Sequence, residues 1–162
     1  MNRLNVKTIV VGVDVHKYSH TAVAMNAWGE EKGKLDFSNG NLEMYTDWLL
    51  QMGLKENIVV GLEDVNSYGT HLVERLRRDN YHIRYVPAIL TERERKTSTK
   101  REKSDEVDAK RVGKVILTKY EDTLPAKESI ANTRELEIGR SLDLLLMERR
   151  DLVRQKTITK NQ

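Results

Sequence analysis

The sequence contains no cysteine, and no apolar run in it is long enough to cross a bilayer as a helix. Without cysteine the chain can form neither disulfide bonds nor thiolate metal sites, and it suits a reducing cytoplasm. The amino terminus lacks the pattern of a signal peptide, and we find no internal repeat. We therefore expect a cytoplasmic protein with no membrane partner.

The 162 residues give room for one domain with a sizeable core and an appended helical segment. Hydrophobic residues make up 38% and charged residues 33%, which predicts a globular protein with a densely charged surface. The net charge of +3 is too small to indicate a nucleic-acid partner by itself. The placement of the charges is therefore more informative than their sum.

Apolar and alternating segments predict five β-strands. Residues 7–15 read KTIVVGVDV, a nearly continuous apolar run that is typical of a strand buried on both faces. Residues 20–26 and 32–37 follow after short links, which predicts an antiparallel meander. Residues 57–62 and 81–86 supply a fourth and a fifth strand.

Two helices separate the later strands. Apolar residues recur at helical spacing from Leu42 to Met52, and residues 67–78 show the same period. The order is therefore β-β-β-α-β-α-β, which predicts an α/β fold with a mixed five-stranded sheet and helices on its faces. Pro87 ends the last strand.

Beyond residue 87 the sequence loses strand character, and a basic segment leads to the next predicted helix. Ser104 is a typical N-cap, and the apolar positions after it predict a helix over residues 105–119. A longer helical stretch begins near residue 132 and reaches Gln162 without a cap, so we expect this sequence to be part of a longer protein. We predict a catalytic domain over residues 1–120 and a helical extension over residues 121–162.

Four acidic residues occupy positions where a site can form. Asp14 lies inside the first apolar strand, where a carboxylate is costly unless it is paired or bound to metal. Glu63 follows the fourth strand, at the sheet edge where ligands collect. Asp105 and Asp108 are three residues apart and so share one face of a helix. Taken singly, Glu63 also suits a surface acid, and the two aspartates suit acids that complement the helix dipole.

Carboxylate oxygens are the ligands that Mg²⁺ and Mn²⁺ prefer. Two such ions about 3.5–4 Å apart can activate a nucleophile and stabilise the leaving oxygen in phosphodiester cleavage. Asp14, Glu63, Asp105 and Asp108 are therefore our predicted metal ligands and catalytic residues. His16 and Lys17 follow Asp14 and suit either substrate phosphate and the metal's surroundings or a plain polar turn.

A basic segment precedes the last helix of the domain and is a candidate for binding nucleic-acid phosphates. Its six cationic side chains are Arg93, Arg95, Lys96, Lys100, Arg101 and Lys103. A solvated surface or a mobile linker has the same composition. The turn Asn66-Ser67-Tyr68 offers a second place for phosphate, at backbone amides, although an ordinary helix cap explains it equally well.

Four segments together resemble the DEDD transposases of bacterial insertion sequences, the IS110 group. They read VGVDVHKYSHTAVAMN, VVGLEDVNSYG, VPAILTERERK and EKSDEVDAKRVGKVIL, and the resemblance covers nearly the whole chain. It implies a ribonuclease H-like (RuvC-like) fold in which four acids bind divalent metal. These acids match Asp14, Glu63, Asp105 and Asp108.

The resemblance implies a transposase or recombinase that cleaves and exchanges DNA strands when an insertion sequence moves. It also implies Mg²⁺ or Mn²⁺ as cofactor, DNA as partner, an element-encoded guide RNA in some members, a homo-oligomer and a bacterial cytoplasmic location. The segment RRDLVRQKTITKNQ looks like the start of the family's helical connector to a second domain, which this sequence does not contain. Many relatives carry Thr-Gly after the glutamate, where this chain has Asp64 and Val65, so we expect a different local loop.

Two other classes of protein remain as alternatives. In a non-catalytic nucleic-acid-binding module the acids would be degenerate, and binding would depend on salt but not on divalent metal. An actin-like or sugar-kinase-like phosphotransferase also opens with a strand bearing Asp after Gly. Its phosphate-binding turn brings Gly with Thr or Ser directly after that Asp, whereas Val15-His16-Lys17 follows here. The presence of all four acids favours the transposase hypothesis.

Overall fold

The computed structural model of the chain describes residues 4–97, 104–126, 145–146 and 148–150. The chain divides into two compact units, Met1–Ala126 and Lys127–Gln162. The predicted helix from residue 132 lies outside the described residues, apart from short helical and exposed pieces near residues 145–150. Among the helices that the structure describes, none has the length and apolar character needed to cross a membrane.

The first unit is built on a six-stranded mixed sheet with strand order β3-β2-β1-β4-β5-β6. The strands are β1 Ile9–Val15, β2 His20–Asn26, β3 Glu31–Phe37, β4 Ile58–Leu62, β5 His82–Tyr85 and β6 Leu124–Pro125. β1, β2 and β3 form an antiparallel meander, whereas β4 runs parallel to β1 and β5 runs parallel to β4. The predicted fold class is therefore confirmed, and β6, antiparallel to β5, is an additional strand.

In the part of the chain that the structure describes, four α-helices cover the two faces of the sheet. They are α1 Leu42–Met52, α2 Thr70–Arg78, α3 Ala88–Thr97 and α4 Asp105–Lys119. α1 and α2 pack on the face that carries Val11 and Val13 of β1. α3 and α4 pack on the opposite face, against Val10 and Val59. Burying one such aliphatic side chain contributes about 1.5–3 kcal/mol, so both faces of β1 stabilise the unit.

α3 is a helix that the sequence pattern did not predict. Half of its ten residues are charged, and Leu90 is its one apolar residue in the core on that side of the sheet. Pro87 precedes the helix and accepts a hydrogen bond at its carbonyl oxygen from the amide of Leu90, 2.9 Å away. The helix therefore depends on packing against α4 more than on its own periodicity.

α4 crosses β1 and β4 at two glycines that pair in register, Gly12 and Gly61. A Cβ on Gly12 would lie 2.0 Å from the carbonyl oxygen of Ala109 and 2.5 Å from the backbone nitrogen of Gly113. Only hydrogen fits between the strand and the helix at this point. The close approach holds the first turns of α4 against the carboxyl end of β1.

A cluster of charges and a cap fix the start of α4. The Ser104 hydroxyl oxygen accepts a hydrogen bond from the amide of Val107 at 3.3 Å, which confirms the predicted N-cap. The Glu106 carboxylate accepts from Lys110 at 2.6 Å and from Lys34 of β3 at 3.0 Å. These two ammonium groups lower the pKa of Glu106 from 4.5 to about 2. Glu106 is therefore occupied in tying α4 to β3.

Candidate metal centre

Asp14 is the penultimate residue of β1 and lies on the face that α4 covers. Side chains alternate along a strand, so Asp14 shares this face with Gly12, over which α4 crosses. Its side chain is 21% exposed. Burial raises the pKa of Asp14 above its usual value; the imidazole of His16 lowers it, and the carboxylates of Asp108 and Asp105 raise it again. A carboxylate in this setting favours a nearby cation.

His16 stands between two of the acids. Its Nε2 atom lies 3.0 Å from Oδ2 of Asp14 and 3.4 Å from Oδ1 of Asp105. The backbone amide of His16 donates to the carbonyl oxygen of Ser19 at 3.2 Å, and this bond closes the turn between β1 and β2. The sequence left open whether His16 belongs to a plain turn or to the metal's surroundings. The structure brings its imidazole into contact with the acids.

Asp105 and Asp108 lie in the first turn of α4, as their spacing predicts. Asp105 is exposed and contributes a carboxylate oxygen to the contact with His16. Asp108 forms an ion pair with Arg111, one turn further along the helix, whose side chain is only 8% exposed. Arg111 is a residue that the sequence analysis missed, although its spacing from Asp108 is that of a helical ion pair.

Glu63 directly follows β4 and is exposed. The last registered pair of β1 and β4 is Val13 with Leu62, so the backbone places Glu63 in the same row as Asp14 at the carboxyl edge of the sheet. Within the described residues, no hydrogen bond or ion pair joins Glu63 to Asp14, Asp105 or Asp108. Its predicted role as a ligand stays a prediction.

The donor atoms fit a metal ion. One ligand atom from each of Asp14, His16 and Asp105 lies within 4.8 Å of the other two. Carboxylate oxygens are hard ligands that bind divalent cations, and a neutral imidazole nitrogen is the commonest nitrogen ligand. The cluster can therefore hold a metal ion, and two of its three members are acids predicted as ligands.

The loop after Glu63 is closed by its neighbour Asp64. The Asp64 carboxylate accepts hydrogen bonds from the amides of Asn66, Ser67 and Tyr68, at 3.1, 2.9 and 3.0 Å. It also accepts one from the Ser67 hydroxyl. These amides are engaged inside the turn, which argues against a phosphate site there. The helix-cap interpretation is not supported either, because α2 begins at Thr70 and its N-cap residue Gly69 makes no side-chain cap hydrogen bond.

The basic segment begins on α3. Arg93, Arg95 and Lys96 are exposed there, and Nη2 of Arg95 lies 2.8 Å from Oε1 of Glu92. The hydrogen bond to Glu92 raises the pKa of Arg95, and Asp108 of the neighbouring helix raises it slightly further. The end of α3 therefore lies beside the acids of α4.

Three predicted phosphate-binding residues lie outside the described part of the chain: Lys100, Arg101 and Lys103. Two of the other histidines of the first unit have local partners. Nε2 of His20 lies 3.0 Å from Oδ1 of Asn39, and Nε2 of His82 lies 2.7 Å from the hydroxyl of Tyr120. Neither of them contacts the acids at the end of β1.

The meander, the parallel strands beside it and the acids at the carboxyl ends of β1 and β4 define an α/β domain of ribonuclease H-like fold with a candidate metal centre. The family model of the IS110 DEDD transposases, described as "Transposase", matches residues 11–162. The chain belongs to this family. No curated protein matches it.

Proposed function

We propose that this chain is the metal-dependent catalytic domain of a transposase, which cleaves and exchanges DNA strands when its insertion sequence moves. The observation that carries the proposal is the meeting of Asp14 and Asp105 at one imidazole, although they lie on a strand and a helix far apart in the sequence. Family membership supplies the DNA substrate and the reaction class.

Asp14, Glu63, Asp105 and Asp108 would hold Mg²⁺ or Mn²⁺. Such an ion supplies Lewis-acid activation of the attacking oxygen and stabilises charge on the leaving oxygen. The protein's own contribution is positioning: β1 and α4 are regular elements packed backbone against backbone at Gly12. Their carboxylates therefore keep their relative positions before DNA arrives.

The cationic residues beside the acids would bind the DNA backbone. Arg93, Arg95 and Lys96 lie on α3, which packs against α4. We propose that Lys100, Arg101 and Lys103, which follow α3 in the sequence, bind phosphates as well. Phosphates held there would place a scissile bond near Asp14 without reading its sequence.

The catalytic part would be the predicted domain of residues 1–120. In the predicted extension, residues 121–162, the first residues return to the sheet edge as β6. An element-encoded guide RNA, a homo-oligomeric state and a location in the bacterial cytoplasm remain proposals drawn from the family resemblance.

Calorimetry with the chain and with Asp14→Asn tests the metal centre. We expect saturable Mn²⁺ and Mg²⁺ binding that Asp14→Asn abolishes and that the control Asp47→Asn leaves intact. Asp47 is an exposed acid of α1, on the opposite face of the sheet. A second arm follows cleavage of branched DNA, where metal dependence and loss in Asp14→Asn are expected.

The binding-module alternative predicts a different pattern. DNA binding would persist without divalent metal and in Asp14→Asn, and no cleavage would occur with any metal. That combination, measured with the same DNA, would replace the catalytic proposal by the alternative.

A further inference from the structure

We propose that His16 is a direct ligand of the metal ion, so that the centre has one nitrogen donor among its oxygens. This inference rests on the metal centre of the proposed function and deepens it. The four acids alone would make a site of oxygen donors only. An imidazole in the coordination shell changes which cations the site prefers.

The distances match those between neighbouring ligands on one ion. Ligands at right angles on an ion with bonds of about 2.1 Å lie about 3 Å apart. Nε2 of His16 lies 3.0 Å from Oδ2 of Asp14 and 3.4 Å from Oδ1 of Asp105. Both distances from Nε2 are therefore close to the spacing of adjacent corners of one coordination polyhedron, and the three donor atoms all lie within 4.8 Å of one another.

The position of His16 suits a ligand. It follows β1 by one residue, and the hydrogen bond from its amide to Ser19 holds the turn that carries it. Its side chain is 47% exposed, so a hydrated ion reaches Nε2 without crossing the core. A residue that served only to form the turn would need no side chain directed at two carboxylates.

The chain contains four histidines, and His16 is the one that meets the acids. Nε2 of His20 is engaged by Asn39, and Nε2 of His82 is engaged by Tyr120. His71 is exposed on α2, on the other face of the sheet. A nitrogen signal from bound metal would therefore be assignable by one substitution.

A nitrogen donor shifts metal preference in a defined direction. Imidazole binds Co²⁺ and the later divalent ions better than it binds Mg²⁺, for which oxygen donors are preferred. His16→Gln should therefore lower Co²⁺ affinity on the order of tenfold while Mg²⁺ affinity changes much less. A change that only disturbed the fold would weaken both ions together.

The test uses the full chain loaded with Mn²⁺ in a mildly alkaline buffer. Pulsed electron paramagnetic resonance is expected to show ¹⁴N coupling from a directly bound imidazole. His16→Gln should lose that coupling, whereas the matched control His71→Gln should keep it. Calorimetry on the same proteins gives the ratio of Co²⁺ to Mg²⁺ affinity.

The possible results distinguish a wrong assignment of His16 as a ligand from a wrong assignment of the metal centre itself. Mn²⁺ binding that needs Asp14 but shows no nitrogen coupling, with an unchanged affinity ratio in His16→Gln, would overturn the His16 ligand and leave the metal centre standing. No Mn²⁺ binding by the parent chain would overturn both.

Discussion

Gly12 of β1 and Gly113 of α4 meet backbone to backbone, since a Cβ on Gly12 would lie 2.5 Å from the Gly113 nitrogen. On β1 the contact lies two residues before Asp14, and on α4 it lies eight residues after Asp105 and five after Asp108. It therefore sets how deeply the helix sits on the sheet, and with that the distance between the acids of the two elements.

Gly12→Ala should destabilise the first unit and separate the acids. The new methyl group would meet the backbone of Ala109 and Gly113, which cannot turn aside as a flexible side chain can. We expect a loss of about 1–3 kcal/mol in the free energy of unfolding, measured with urea, and weaker Mn²⁺ binding. The control is Gly40→Ala, where the nearest atom is the Ser38 hydroxyl at 3.7 Å. Equal stability of the two variants would contradict the close approach.

Asp14 should make the metal-free protein less stable as pH rises. Its pKa is raised in the folded state, chiefly by burial, so the folded protein holds its proton above the ordinary value of 3.8. Between these two pKa values the folded state binds more protons than the unfolded state, and stability falls with increasing pH. Asp14→Asn should therefore raise the melting temperature near neutral pH in a chelating buffer. If Mg²⁺ then stabilises Asp14→Asn as much as the parent, Asp14 is not a ligand.

Glu106, in contrast to Asp14, should make the protein more stable as pH rises from about 2 to 4.5. Its pKa falls to about 2 beside Lys110 and Lys34, so its contribution is complete above 4.5 and disappears as pH falls towards 2. Glu106→Gln should flatten the acid side of the stability profile. The effect should be small and should shrink in high salt, because the carboxylate is partly exposed to solvent. Glu56→Gln is the matched control, and urea midpoints across this pH range measure both.

Arg111→Met should lower stability and strengthen metal binding. The guanidinium is nearly buried and pairs with Asp108, so its loss leaves a carboxylate without its partner. Because Asp108 is 34% exposed, we expect a cost of only about 1–2 kcal/mol without metal. Mg²⁺ affinity should rise several-fold, since a competing cation is removed. Arg75→Met, which breaks the Arg75–Asp79 pair of α2, should lower stability alone.

Neutralising α3 should weaken DNA binding in a salt-dependent way. Each phosphate contact contributes about 0.9 to the slope of log affinity against log salt concentration. Arg93→Gln and Lys96→Gln should each reduce that slope by about this amount. Arg78→Gln, at the exposed end of α2 on the other face, should leave it unchanged. Fluorescence anisotropy across a salt series measures the slopes.

The sequence by itself determined strands β1 to β5 and helices α1, α2 and α4. Val and Ile runs, alternation and helical spacing are local properties, because neighbouring side chains set which face of an element is apolar. The order of strands then put Asp14 and Glu63 at one sheet edge. The spacing of Asp105 and Asp108 put them on one helix face.

Only the tertiary structure decided which of these groups meet. α3 and the two-residue β6 have weak local patterns; they depend on Leu90 packing near α4 and on Arg84 donating to Thr123 and Tyr120. The contact of His16 with Asp105 requires the helix to cross the strand at a glycine. Contacts between residues far apart in sequence depend on how whole elements pack, and no local period encodes that packing.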